Sequence, residues 1–308
     1  MKELKEFGQT LKETFIEWSA SSAIRDASSL AYFAIFSIPG LLIIIIWIAG
    51  NFFGEEAIQG EITQQVSEIM GQKAASSIES LIASSLIDRD NILMKIVGIL
   101  TMVFGATTLF FQLQKSLNEL WEVKAVPNKA VKKYLIDRAN SLGMILVIGF
   151  LLMITMVLSS MISLLNEFIT SQLGLKTYVL MEVVNFGLGF ILTTMVFAFL
   201  FKVLPDVEIE WKAIWSGALL TSVLFTLGKF VLSLYFSELK PTSAYGQAGT
   251  IILIMMWINY TCILIFFGAE FTRVRAKKRG YVIKPAKHAT WSDAKLYQDA
   301  IRQKEKKT

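Results

Sequence analysis

The sequence predicts an all-α, polytopic membrane protein. The expected architecture is a six-helix transmembrane bundle, with short amphipathic helices capping its outer face and an interfacial helix at its N-terminus. Three observations carry this. The first is composition: of 308 residues, 54% are hydrophobic and only 18% charged, with a mean hydropathy of +0.54. Soluble domains average about 25% charged residues. The second is six apolar stretches, each close to the roughly 20 residues a helix needs to cross hydrocarbon. They cover 27–53, 93–113, 142–165, 178–201, 213–236 and 250–271. None shows the ten-residue alternation of a membrane β-barrel, and a lipid-exposed span must satisfy its backbone hydrogen bonds internally, so each reads as a helix. The third is an uneven distribution of Lys and Arg between the two sets of connections.

Residues 1–26 form the first predicted unit. Leu4, Phe7, Leu11, Phe15 and Trp18 recur at steps of three or four, the stripe of an amphipathic helix lying in the headgroup plane or packed under the bundle. The transmembrane unit spans 27–271. Its first stretch begins too late and runs too long to be a cleaved signal. Pro39 falls near the middle of that stretch, where a missing backbone donor predicts a kink. Residues 54–91 carry two amphipathic runs divided by Gly71, read as an acidic helical cap. The second span continues inward on the stripe Leu113, Leu117, Leu120 and Trp121. Gly187, Gly189 and Gly217 permit close helix contact. Residues 272–308 form a basic tail expected to bind anionic headgroups or stay unstructured, and to be removable with little loss of fold.

Lys and Arg number 24 in the N-terminal segment, the second and fourth connections and the tail, against four in the other three connections. The positive-inside rule then puts both termini in the cytoplasm of a multi-pass inner-membrane protein.

Polar groups inside spans are costly and generally turn toward the bundle interior. Lys229 lies about 10 Å deep in the fifth span at 1.5 Å per residue, and Glu182 lies at similar depth in the fourth. An ion pair or a headgroup-binding pair is expected there, against the plainer alternative of a lysine that snorkels outward. Asn185 and Asn259 complete the polar candidates, with Pro39 as the helix break beside them. At the inner rim, Arg25, Asp26, Arg138 and Glu270 could form a charge cluster, although charges at span ends more often serve as anchors.

Three stretches, in order, give a resemblance. They are Ala27-Ser28-Ser29-Leu30-Ala31-Tyr32 through Ser37-Ile38-Pro39, then Leu204-Pro205-Asp206 through Trp211 to Gly217-Ala218, then Tyr245-Gly246-Gln247-Ala248-Gly249 followed by Trp257-Ile258-Asn259-Tyr260 and Gly268-Ala269-Glu270. Over about residues 15–275 the chain resembles the YihY/virulence factor BrkB family of bacterial inner-membrane proteins, formerly annotated ribonuclease BN. The resemblance implies a location and an architecture, not a reaction, and adds Tyr245 to the candidate substrate-binding residues.

The residues argue against an enzyme. One His (His288) and one Cys (Cys262) leave no histidine or cysteine metal set, and the nearest acidic group, Asp206, Glu208 and Glu210, reads as a solvated face. No metal or cofactor is expected, nor nucleic-acid binding. The expected partners are membrane lipids, with anionic headgroups at the basic rim, and self-association stays open. With no Walker motif, the favoured function is a non-ATP-powered transporter or flippase of lipids or other amphiphiles. The alternatives are a small-ion or solute channel or secondary transporter, and a non-transporting scaffold for envelope biogenesis.

Overall fold

The computed structural model describes residues 2–84, 92–126, 175–239 and 248–293, with Gly143, Lys295 and Leu296. Eight helices stand among the described residues: α1 (Lys2–Ala20), α2 (Ala23–Phe53), α3 (Glu55–Met70), α4 (Gln72–Ser84), α5 (Ile92–Leu120), α6 (Leu175–Val203), α7 (Trp211–Leu239) and α8 (Ala248–Lys278). Four short strands lie between or after them: β1 (Val123–Ala125), β2 (Val207–Glu208), β3 (Lys284–Pro285) and β4 (Ala289–Trp291).

Helices therefore occupy five of the six predicted spans, and 142–165 lies outside the described residues. Among the described residues, Phe186–Val203, Trp211–Leu232 and Ile251–Lys278 are long and apolar enough to cross a membrane. The two halves of α2, Ala23–Ile38 and Gly40–Ile46, meet at 53° and make a fourth if counted as one span. That bend falls at Pro39, where the missing backbone donor predicts it.

Helix α8 organises the bundle, packing against α1, α2, α4, α5 and α7. Its crossing with α7 rests on small residues. Gly217 on α7 faces Gly268 and Thr272, while Gly268 faces Thr221, so that a Cβ at either glycine would collide with a threonine hydroxyl. The order of these contacts makes the two helices antiparallel. Both threonines satisfy their hydroxyls locally, Thr221 donating to Gly217 O and Thr272 to Gly268 O, each at 2.8 Å. The backbones can thus approach without leaving a buried donor unpaired. Gly187 and Gly189, also expected at close contacts, have no atom within 4 Å of the position of a Cβ among the described residues. On α2, Ala27, Leu30, Ala31, Ala34 and Ser37 are all buried, giving the helix a mostly small inward face.

Two amphipathic helices, α3 and α4, do follow α2, turning at Gly71 with φ +85°. Buried Ile58, Ile78 and Ile82 tie them into the common core, and α3 also touches α7. The stripe extending the second span is present as well: Leu113, Leu117, Leu120 and Trp121 are all buried. Helix α1 packs on α8 through buried Thr10 and Thr14, with Phe7 edge-on to Phe271 and Trp18 edge-on to Phe267. Phe15 and Ile16 remain exposed. One face of this helix therefore packs on the bundle, while another stays exposed.

The tail departs from expectation. Helix α8 continues to Lys278, the chain turns at Gly280 (φ +71°), and the following residues run back as a strap across the basic end. In it β4 pairs antiparallel with β1, Val123 opposite Trp291, and β3 pairs antiparallel with β2, Val207 opposite Pro285. Tyr281, Ile283 and Trp291 pack against the core. Two- and three-residue strands carry no readable period, and their partners lie far away in sequence, so composition registered only the charge.

Candidate functional site

The end of the bundle that carries the strap brings together the last turn of α8, the first turn of α7, the chain after α5, and α1. Its framework is polar. Asp206, in the turn between α6 and α7, is 5% exposed. Its carboxylate accepts from Asn118 Nδ2 at 2.9 Å and Gln114 Nε2 at 3.3 Å, and His288 Nε2 lies 2.8 Å from Oδ1. Asn118 also accepts the Asp206 backbone N–H at 2.7 Å, and the Asp206 carbonyl accepts from the Ala286 amide at 3.0 Å. The expectation of a solvated face holds for Glu208 and Glu210, which are exposed, and fails for Asp206. A carboxylate so fully engaged by side-chain donors ties helix, turn and strap together.

A second knot centres on Arg273. Its guanidinium meets Glu270 on the same helix at 2.7 Å, Glu17 of α1 at 2.6 Å and Glu122 beyond α5 at 3.3 Å. Glu270 is 1% exposed; removing one partner of a pair so buried typically costs about 3–5 kcal/mol. Glu122 sits just past the end of α5 with φ +58°, a conformation glycine usually supplies there. Its carbonyl receives the Ser292 amide at 2.7 Å and its carboxylate also meets Lys295 at 3.4 Å. Lys278 pairs with Glu13 at 2.8 Å, and its hydrogen bond holds the Glu13 carboxyl below its ordinary range.

Beside these knots lies a groove of about 270 Å³ between the start of α7 and the end of α8. Lys212, Arg275 and Arg279 give it three cationic groups, with Trp215 and Tyr281 among its walls and Leu219 at its apolar side. Trp215 and Leu219 are exposed, and the outward face of α7 continues through exposed Val223, Leu227 and Phe230. A more open depression of about 610 Å³ adjoins it and shares Lys212, but mixes Glu208 and Glu210 with Lys202 and Lys284. Chemically the groove can hold an anionic group at an interface, with apolar matter running along α7.

The sequence candidates distribute otherwise. Of the rim four, Glu270 is held by Arg273, while Arg25 and Asp26 pair with each other at 3.6 Å and Ser22 donates to Asp26 at 2.7 Å. Arg138 lies outside the described residues, as does Tyr245. Lys229 is half-buried on α7 and has no hydrogen-bond or ion-pair partner among the described residues; the side chains of Glu182, Asn185 and Pro39 lie outside them. Asn259 on α8 donates to Ser28 on α2 at 3.0 Å. The groove itself went unread, although its signal was available. Trp211 and Trp215 are one helical turn apart at the start of one span, and Arg275 and Arg279 one turn apart at the end of the next. Antiparallel neighbours place those two turns side by side.

Among the described residues no group of three or more His, Cys, Asp and Glu side chains could hold a metal ion. No solved structure matches the chain. A ribonuclease-like protein, YfkH, of Bacillus subtilis (strain 168) is 23% identical over 276 residues, covering 87% of this chain and 96% of that protein. A protein named UPF0761 membrane protein from Haemophilus influenzae (strain 86-028NP) is 25% identical over 275 residues, covering 88% and 95%. Another of that name, from Pseudoalteromonas atlantica (strain T6c / ATCC BAA-1087), is 24% identical over 251 residues, covering 80% and 79%. The sequence pattern of the family described as virulence factor BrkB matches residues 16–292, nearly the whole described fold from α1 to the strap. The chain is a membrane protein of the virulence factor BrkB family.

Proposed function

We propose that this protein moves amphiphiles with anionic headgroups across the cytoplasmic membrane, as a transporter or flippase that hydrolyses no ATP itself. The observation that carries the reading is the groove at the basic end, with three cations beside an aromatic wall and an apolar face of α7 leading away along the membrane. Its roughly 270 Å³ falls just under the range of about 300–1,000 Å³ for sites that enclose a whole small molecule. A headgroup fits, while the chains stay against α7. Against the channel alternative, an ion pathway gains nothing from an apolar ramp at the side of a helix. A nuclease would need a free carboxylate set in water, and Asp206 is spent on Gln114, Asn118 and the strap.

The test is lipid transfer in proteoliposomes, read as the loss of dithionite-protected fluorescence from a head-labelled anionic lipid. The intact protein should accelerate transfer over protein-free vesicles, and combined Lys212→Gln, Arg275→Gln and Arg279→Gln should remove most of the gain. Transfer at the protein-free rate with correctly folded protein defeats the proposal.

A further inference from the structure

We infer that the groove selects a phosphomonoester headgroup, carrying close to two negative charges, over the singly charged phosphodiester of bulk anionic lipids. The inference rests on the amphiphile reading above and names the substrate class of the same groove.

The charge balance is the first ground. Lys212, Arg275 and Arg279 line the groove, and none of the other six lining residues is acidic. Several other cations at this end are held by carboxylates: Arg273 by Glu270, Glu17 and Glu122, Lys278 by Glu13, Lys124 by Asp293 at 2.7 Å, Lys295 by Glu122. Lys212 and Arg279 have no ion-pair partner among the described residues. Those two residues put two positive charges on the groove, and a phosphodiester, with one negative charge, balances only one of them. A phosphomonoester, with its second pKa near 6, contributes about −1.5 to −2 at neutral pH.

Donor geometry is the second ground. Two of the three cations are arginines, whose planar forks bind two phosphate oxygens at once. A monoester presents three terminal oxygens to such forks where a diester presents two. The helix termini do not decide the matter. The positive dipole end of α7 at Trp211 and the negative end of α8 at Lys278 lie together at this rim and largely offset each other. The side chains therefore set the sign. The adjoining larger depression is unsuited, since Glu208 and Glu210 line it.

The third ground places the phosphate on a lipid rather than in solution. Trp215 and Tyr281 flank the cations, Leu219 closes the membrane side, and exposed Val223, Leu227 and Phe230 continue the same helix. Tryptophan and tyrosine favour the headgroup level, and a soluble phosphate would leave this apolar run unused.

The test is native mass spectrometry of the purified protein in detergent with equal amounts of phosphatidic acid and phosphatidylglycerol of identical chains. Phosphatidic acid should bind about fivefold more tightly, the upper end of what one added exposed ion pair supplies. That preference should grow between pH 6 and pH 8 as the monoester loses its second proton. Arg279→Gln, and separately Lys212→Gln, should reduce the preference, whereas Lys277→Gln, on an exposed residue outside the groove, should not. Equal binding of the two lipids, or a preference untouched by both groove variants, overturns the inference while active lipid transfer would keep the amphiphile reading. Displacement of phosphatidic acid by an equal concentration of soluble glycerol phosphate overturns the lipid source. Failure of both binding and transfer removes the parent reading as well.

Discussion

Replacing Asp206 with Ala tests whether the strap is a structural part of the bundle. The substitution removes the acceptor of two buried side-chain hydrogen bonds, from Gln114 and Asn118, and of the contact with His288. Hydrogen bonds to a charged group contribute about 1.5–3 kcal/mol each. The His288 side chain is 44% exposed, so water replaces most of what it loses and its share is discounted. Gln114 and Asn118 are buried, and their amides would be left without the carboxylate. The expected loss is about 3–5 kcal/mol, a large part of the roughly 5–15 kcal/mol that holds a typical fold together. Asp206→Asn keeps one acceptor oxygen and should lose less.

The loss also has an address. The Ala286 amide bonds the Asp206 carbonyl, and the neighbouring strap bonds run from the Val126 amide to His288 O at 2.9 Å and from the Ser292 amide to Glu122 O at 2.7 Å. Hydrogen exchange at Val126, Ala286 and Ser292 should therefore speed up in Asp206→Ala well before the amides of α8 do, with the thermal midpoint in detergent lowered by several degrees. An unchanged midpoint together with native protection at those three amides would refute the reasoning, because Asp206 would then be a bystander to the strap.

Other outcomes follow from the same packing. Ending the chain after Arg279 should lower the thermal midpoint by uncovering the surfaces under Tyr281, Ile283 and Trp291. Gly268→Ala drives a methyl into Thr221 and should cost about 1–3 kcal/mol; adding Thr221→Ala should recover part of it, and strictly additive losses would deny the contact. Cys262 is buried and gives a quiet background for topology: a cysteine at Glu56 should react with an impermeant maleimide from outside intact cells, and one at Lys287 should not. Lys229→Leu should fold normally and lower lipid transfer in the vesicle assay; unchanged transfer makes Lys229 an anchor.

What the sequence made legible was whatever depends on one continuous segment. Helices at 175–203 or 211–239 announce themselves because lipid demands a long apolar run, and the bend at Pro39 follows from a single missing donor. The crossing of α7 and α8 was half legible. Gly217 signalled a close approach, but its match with Thr272, and of Thr221 with Gly268, depends on the pairing of two helices. The strap was illegible for the same reason carried further, since the pairing of Val123 with Trp291 joins segments far apart in sequence through strands too short to show alternation.

The basic residues show why charge counting stops short of a site. Twelve lysines and arginines after Phe271 read alike along the chain. The fold then sorts them by angle around α8. Arg273 turns toward Glu270, Glu17 and Glu122 and becomes part of the frame, and Lys278 turns to Glu13. Arg275 and Arg279, one helical turn apart on another face, meet Lys212 across the groove. Residues two positions apart on a helix point some 200° apart, so Arg273 and Arg275 necessarily serve different neighbours. Spans decide which end of the molecule is basic, but only the antiparallel neighbour of α8 decides which of those charges remain together for a ligand.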